Sequence, residues 1–189
     1  MYRNKYPYQY LVPMFPYPFW MNPQLYNMYL NNSMGNYQMY NPYSQIPSIE
    51  LMDYGPNPFV ANINDASIGN KTFRTALWTG DNLQVTLMNI SVGDDIGLEV
   101  HETGDQFIRI EEGQGLVKMG NNKNNLDFQR RLCKDSAIII PAGKWHNIIN
   151  TGNTPLKLYA IYAPPEHPAN TVHNTKEDAE AAERIYRYY

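Results

Sequence analysis

Residues 99–106, E-V-H-E-T-G-D-Q, and residues 141–150, P-A-G-K-W-H-N-I-I-N, decide how this chain is read. On extended backbone, residues two apart face the same way, so Glu99 and His101 point together while Leu98 and Val100 point to the opposite face. The turn at Thr103 to Asp105 returns the chain antiparallel and brings the amide of Gln106 beside the first pair. His146 belongs to a distant strand, and Pro141 and Gly143 shape the loop before it. Asn150 suits a turn or a supporting hydrogen bond, and Trp145 suits packing.

Outward from these stretches the sequence reads as many short strands. Apolar runs occur at T-F-R-T-A-L-W around Phe73 and L-Q-V-T-L-M-N-I from Leu83. Others are Q-F-I-R-I from Gln106, G-L-V-K-M from Gly115, L-D-F-Q-R-R-L from Leu126, A-I-I-I from Ala137 and L-K-L-Y-A-I-Y from Leu156. Turn signals separate them at Gly80-Asp81-Asn82, Gly93-Asp94-Asp95, Gly120-Asn121-Asn122 and Thr151-Gly152-Asn153. Even spacing of this kind predicts an all-β sandwich, jelly roll or barrel, and the strand pattern alone does not choose among them. T-K-E-D-A-E-A-A-E-R-I-Y-R near the end predicts a short helix with a cap at Thr175, acids in its first turn and Arg184 and Arg187 near its last. Its alanines and Ile185 are expected to rest on the barrel.

The first quarter of the 189 residues has another character. Residues 1–48 carry ten of the sixteen tyrosines, many Asn, Pro and Met, and only Arg3 and Lys5 as charged groups. Proline spaced through the segment prevents a continuous helix, and a tail that merely solvated would carry charge instead of Phe15, Phe19 and Trp20. The composition predicts an assembly or anchoring tail, and it resembles the Tyr- and Asn-rich tails of spore-coat proteins. Pro13, Pro16 and Pro18 interrupt the early apolar run and no A-x-A-like cleavage site follows, so no signal peptide is expected. No run of roughly 20 apolar residues predicts a membrane-spanning helix. The net charge of -3 comes with no basic patch beyond Arg130 and Arg131, which argues against nucleic-acid binding. Cys133 is the single cysteine; it forms no internal disulfide, fits a reducing compartment and reads as a strand residue. A cytoplasmic or spore-coat location is expected.

The two opening stretches resemble the paired signature of the cupin family, G-x5-H-x-H-x4-E-x6-G and G-x5-P-x-G-x2-H-x3-N. Gly93 or Gly97 precedes the first motif, Glu99 stands where the first histidine is usual, Gln106 stands where the glutamate is usual, and Gly113 closes it. The second fits at Pro141, Gly143, His146 and Asn150, with Asp135 or Ser136 in place of its leading glycine. From about Phe59 to Glu183 the chain looks like a group of small single-domain bacterial cupins, which share D-Q-F-I-R-I-E-E-G-Q-G, I-I-I-P-A-G-K-W-H-N-I-I-N-T-G and I-Y-A-P-P-E-H-P. Members are often labelled by a distant likeness to mannose-6-phosphate isomerase. The resemblance implies an all-β fold, the cupin double-stranded β-helix or jelly-roll barrel. The expected layout is a tail over 1–48, a linker over 49–58, the barrel over 59–174 and a terminal helix over 175–189. It also implies that His146 completes a site with Glu99, His101 and Gln106, and that a dimer is the default homo-oligomer.

Two imidazoles and one carboxylate with open positions suit non-haem Fe(II), and equally Zn, Mn, Co or Ni. Gln106 adds a neutral carbonyl oxygen, and with Glu99 ionised a divalent ion keeps a net positive charge that polarises an anionic or enolisable oxygen. The competing reading is a hydrogen-bonded polar cluster in an empty barrel mouth. A buried carboxylate without a partner is costly, which favours a cation. Glu166 and His167, in P-P-E-H-P, follow the last strand, where a rim loop reaching the barrel mouth is one reading and an exposed turn the favoured one, and His173 carries less signal still. Sugar-phosphate isomerisation also needs phosphate-binding cations, for which Lys144 and Arg109 are the candidates, although alternation sets Arg109 opposite Gln106. Three classes follow: a metal-dependent enzyme on a small molecule, as isomerase or oxygenase; a metal- or small-ligand-binding module without turnover; and a structural protein whose tail binds coat or other assembly partners. The preferred synthesis joins the last two.

Overall fold

The computed structural model describes residues 49–186, with the side chains of Ile185 and Tyr186 left out; the tail over 1–48 and the expected packing of Ile185 fall outside it. Nine strands and two helices follow in the order α1 (Ile63–Gly69), β1 (Arg74–Thr79), β2 (Gln84–Ile90), β3 (Asp105–Glu112), β4 (Gly115–Gly120), β5 (Phe128–Leu132), β6 (Ala137–Ile140), β7 (Trp145–Asn150), β8 (Leu156–Ala163), β9 (Val172–His173) and α2 (Lys176–Tyr186). They form a six-stranded antiparallel sheet, β6-β3-β8-β2-β1-β9, facing a three-stranded one, β5-β4-β7. This is the expected all-β jelly roll.

The alternation of each strand sorts its residues between two environments. Register aligns Ile108 with Ile138 and Ala160, and Leu158 with Met88 and Ile110, so these share the inner face with Ile90, Ile148 and Leu156. Leu77 and Leu87 face outward, where Ala66 of α1 covers them with Phe59 and Ile63. The seven-residue α1 was not expected, since it is too short to show a helical period. Its first turn is capped by Asn62, whose side chain accepts the amide of Asp65 at 3.3 Å, and it persists because it lies on the sheet.

The terminal helix starts where Thr175 predicts. The Asp178 amide donates to Thr175 Oγ1 at 3.2 Å, and the Thr175 amide donates to Asp178 Oδ2 at 3.0 Å, a reciprocal cap. Ala179 is buried in the core, and Lys176 reaches Asp94 at 2.9 Å and Asp95 at 2.7 Å. Cys133 departs from expectation: β5 ends at Leu132, and the thiol is exposed in the following turn.

Asn150 closes the turn between β7 and β8. Its amide nitrogen donates to the carbonyls of Ile90 at 3.0 Å and Thr154 at 2.9 Å, and its oxygen accepts the Gly152 amide at 3.0 Å. Ile148, two residues before it, has no exposure, whereas Ile139 on the edge strand β6 is 62% exposed. Ile148→Ala is therefore expected to cost about 2–5 kcal/mol in urea unfolding, and Ile139→Ala about 0.5 kcal/mol or less. Equal costs would contradict the assignment of inner and outer faces.

Candidate metal centre

Glu99 and His101 do not lie on a regular strand, contrary to the sequence reading. Residues 94–101 run antiparallel beside β7 and touch it at separate points. The Asn150 amide donates to Asp94 at 2.8 Å, and the Ile96 amide to Ile148 at 3.0 Å. Glu99 and His146 then exchange both backbone bonds, at 3.0 and 2.9 Å. Three residue steps from Ile96 to Glu99 thus oppose two from Ile148 to His146, which is a bulge. Gly97 absorbs the extra residue at φ 93°, where a Cβ is disfavoured, and the Asp95 carboxylate accepts its amide at 2.7 Å. The bulge explains why the strand is broken while Glu99 and His101 still turn to one side. Gly143, at φ 76°, donates its amide to the His101 carbonyl at 2.7 Å, joining the second loop to the first.

The three side chains converge. Donor atoms of Glu99, His101 and His146 all lie within 4.8 Å of one another. Glu99 Oε1 is 3.1 Å from His146 Nε2 and 3.5 Å from His101 Nε2. His146 is fully buried and His101 is 8% exposed. The other ring nitrogen of His146 stands 2.9 Å from the Lys144 carbonyl, which requires a proton on Nδ1 and leaves Nε2 to face Glu99. His101 Nδ1 is 3.1 Å from Glu166 Oε1. Both His101 nitrogens are within ion-pair distance of a carboxylate, yet neither is aligned for a hydrogen bond. Gln106, the second residue of β3, is buried with its carbonyl oxygen unpartnered. Its neighbour in register, Tyr162, sets its ring edge-on to His101 at 5.4 Å.

Charge is concentrated here. Burial opposes ionisation of Glu99, but the close approach of His101 and His146 and the charges of His146 and Arg74 hold its carboxyl well below the usual range. Burial likewise disfavours the His101 cation, and Glu166 and Glu99 overcome it, raising that ring to about 9. His167 goes the other way: burial, then the Arg74 charge, lowers it to about 3.

Three contributors carried little or no weight in the sequence. Glu166 and His167 were expected in an exposed turn; the Glu166 carboxylate instead meets His101, and the His167 ring lies edge-on to Tyr162 at 5.1 Å. Arg74, fully buried on β1, was not singled out, although a single basic residue inside T-F-R-T-A-L-W was the available signal. Neither candidate phosphate cation reaches the triad. Lys144 engages Asn121, and Arg109 pairs with Glu111 at 2.7 Å and Asp135 at 2.6 Å.

Comparison with known proteins agrees with the fold. The Cupin_2 family, described as a cupin domain, matches residues 86–162, a span containing Glu99, His101, Gln106 and His146. Over 133 residues the chain is 67% identical to the uncharacterized protein YrkC of Bacillus subtilis (strain 168), covering 70% of this chain and 72% of that protein. It is 39% identical over 115 residues to the uncharacterized protein L612 of Acanthamoeba polyphaga mimivirus, covering 60% of this chain and 70% of L612. The crystal structure of BH2720 from Bacillus halodurans is similar at 63% identity and a TM-score of 0.68, covering 69% of this chain and 98% of that one. Among the described residues, no helix is long and apolar enough to cross a membrane.

In metal-free protein the His101 ring is expected to titrate near pH 9, followed by NMR of the imidazole resonances. Because its folded pKa lies above its ordinary 6.5, its proton stabilises the fold in full below pH 6.5, and that contribution is lost as pH rises through 9. Titration of His101 at or below 6.5 would contradict the paired-carboxylate environment.

Proposed function

We propose that this chain, which belongs to the cupin family, holds a divalent metal ion on Glu99, His101 and His146, with the Gln106 carbonyl as an adjacent neutral donor. The observation that carries this reading is the convergence of three donor atoms in a largely buried place. Ligands about 2.0–2.2 Å from one ion stand roughly 3–3.5 Å apart. The 3.1 and 3.5 Å separations around Glu99 Oε1 fit that spacing. The orphaned Nε2 of His101 and the oxygen of Gln106 fit it too, because a cation satisfies atoms that no hydrogen bond reaches. The donor set suits Zn, Fe, Mn, Co or Ni.

When bound, such an ion supplies Lewis acidity toward a ligand oxygen. The protein's own groups prepare that place. Glu99 offsets charge, the Lys144 carbonyl fixes the orientation of His146, and Glu166 flanks the outer nitrogen of His101. Tyr162 packs against His101 and separates it from His167.

At the level of the whole protein, the preferred role is a metal-binding component of a protein assembly, such as a spore coat, formed through the Tyr-rich residues 1–48 and a dimeric barrel. Composition supports this, since a chargeless aromatic segment favours association over solvation. A metal-dependent enzyme acting on a small molecule is the second reading. It is favoured by a cavity of about 480 Å³ that opens beside Glu99 and His101. Within it, a sugar-phosphate isomerase is disfavoured because Lys144 and Arg109 are engaged elsewhere.

Metal analysis of protein purified without a histidine tag is expected to find near-stoichiometric divalent metal, lost in the Glu99→Ala/His146→Ala double variant. Protein lacking residues 1–48 is expected to keep the metal and lose self-association beyond the dimer. Equal, negligible metal in wild type and double variant would sink the metal reading, and unchanged assembly without the tail would sink the assembly reading.

A further inference from the structure

The cavity beside the triad has a second polar wall. Glu166, His167, His173 and Glu183 line it together with Glu99 and His101. Behind Glu183 lies Arg74, with no exposed surface. Its Nη1 is 3.5 Å from Glu183 Oε1, and its Nε has no hydrogen-bond partner. Glu183 itself lines the cavity, so the Arg74 guanidinium stands directly behind that wall. Two of the lining histidines carry ring nitrogens without hydrogen-bond partners, His167 Nε2 and His173 Nδ1.

A buried guanidinium presents five donors in a planar fork, and among the described residues Arg74 has one 3.5 Å contact, to a side chain that is itself 44% exposed, beside the Phe73 ring at 5.7 Å, which accepts none of the fork's bidentate geometry. The partner that matches the fork is a carboxylate meeting it with two parallel hydrogen bonds. Glu183 supplies that group from the last turns of α2 without reaching that geometry. The beginning of the same helix is firmly tied by the reciprocal Thr175–Asp178 cap, the Lys176 ion pairs and buried Ala179.

We propose that the cavity binds a small carboxylate ligand whose carboxylate takes the place of Glu183 on Arg74, Glu183 acting as a displaceable cover. The exchange replaces one carboxylate on Arg74 by another, so at that position no charge is added: Glu183 moves into water, Glu166 remains beside His101, and the second carboxylate of a diacid such as malonate adds a charge that the metal-loaded form offsets. A cavity of about 480 Å³ accommodates such a molecule, within the roughly 300–1,000 Å³ of small-molecule sites. The inference deepens the reading of the metal cavity by naming its ligand class, and it rests on that reading only for a second contact between ligand and ion.

The test is calorimetric titration of the full-length protein with malonate, in zinc-loaded and EDTA-treated forms, with malonamide as the neutral counterpart. Glu183→Gln is expected to tighten malonate binding about tenfold in both forms, because an internal competitor is removed. Arg74→Lys is expected to lose most of the binding, since an ammonium cannot reproduce the fork. Malonamide is expected not to bind. Unchanged, weaker or absent malonate binding in Glu183→Gln overturns the proposal, as does malonamide binding equal to malonate. If Arg74→Lys fails to fold by circular dichroism, the other two comparisons decide. Zinc uptake is measured separately, so failure of the metal reading appears as protein that takes no zinc, while the Glu183→Gln comparison in EDTA-treated protein still tests the carboxylate site.

Discussion

Two backbone hydrogen bonds exchanged between Glu99 and His146 place everything else at this centre. They join residues 47 apart in the chain and set the two side chains against each other at 3.1 Å. Both partners are constrained from behind. His146 belongs to β7, whose full register with β4 is fixed because Ile148 and Asn150 occupy the buried face. Glu99 follows a bulge whose extra residue Gly97 accommodates without a Cβ. Because rigid backbone holds both residues, the convergence does not depend on a loop closing.

This constraint leaves buried charge that must be balanced. Glu99 is held ionised, and His101 lies between it and Glu166. Arg74 forms a second centre of charge, joined to the first through Tyr162 and His167 and covered by Glu183. A row of unsatisfied polar atoms along one cavity, on His101, His167 and His173, is expensive for a structural core. The same row is intelligible as a site prepared for groups that arrive with a ligand. The chemistry thus occupies one end of the barrel, while the rest of its interior is aliphatic.

Much of this was legible in the residues. Short apolar runs between turn signals located β1 to β6 and β8, and Thr175 marked the start of α2. The spacing of Glu99 and His101 correctly put them together, although for an incomplete reason: they share a side beyond a bulge whose existence depends on the opposing step from Ile148 to His146. No local pattern encodes that mismatch. The helix α1 was illegible because seven residues carry no period and its stability comes from Leu77 and Leu87 beneath it. Glu166 looked like a turn residue because its partner, His101, is 65 positions earlier in the chain. Arg74 was overlooked because a basic residue in a strand ordinarily faces water, and its inward direction follows from a register with Met88 and His173 that only the assembled sheet reveals.

The central claim is that Glu99, His101 and His146 share one divalent ion. Anomalous X-ray scattering from crystals of the zinc-loaded protein, measured on both sides of the zinc edge, tests it most directly. The account predicts a single strong peak about 2.0–2.2 Å from Glu99 Oε1 and from the Nε2 atoms of His101 and His146. A triad without an anomalous peak, in crystals whose zinc lies elsewhere on the protein, would contradict it.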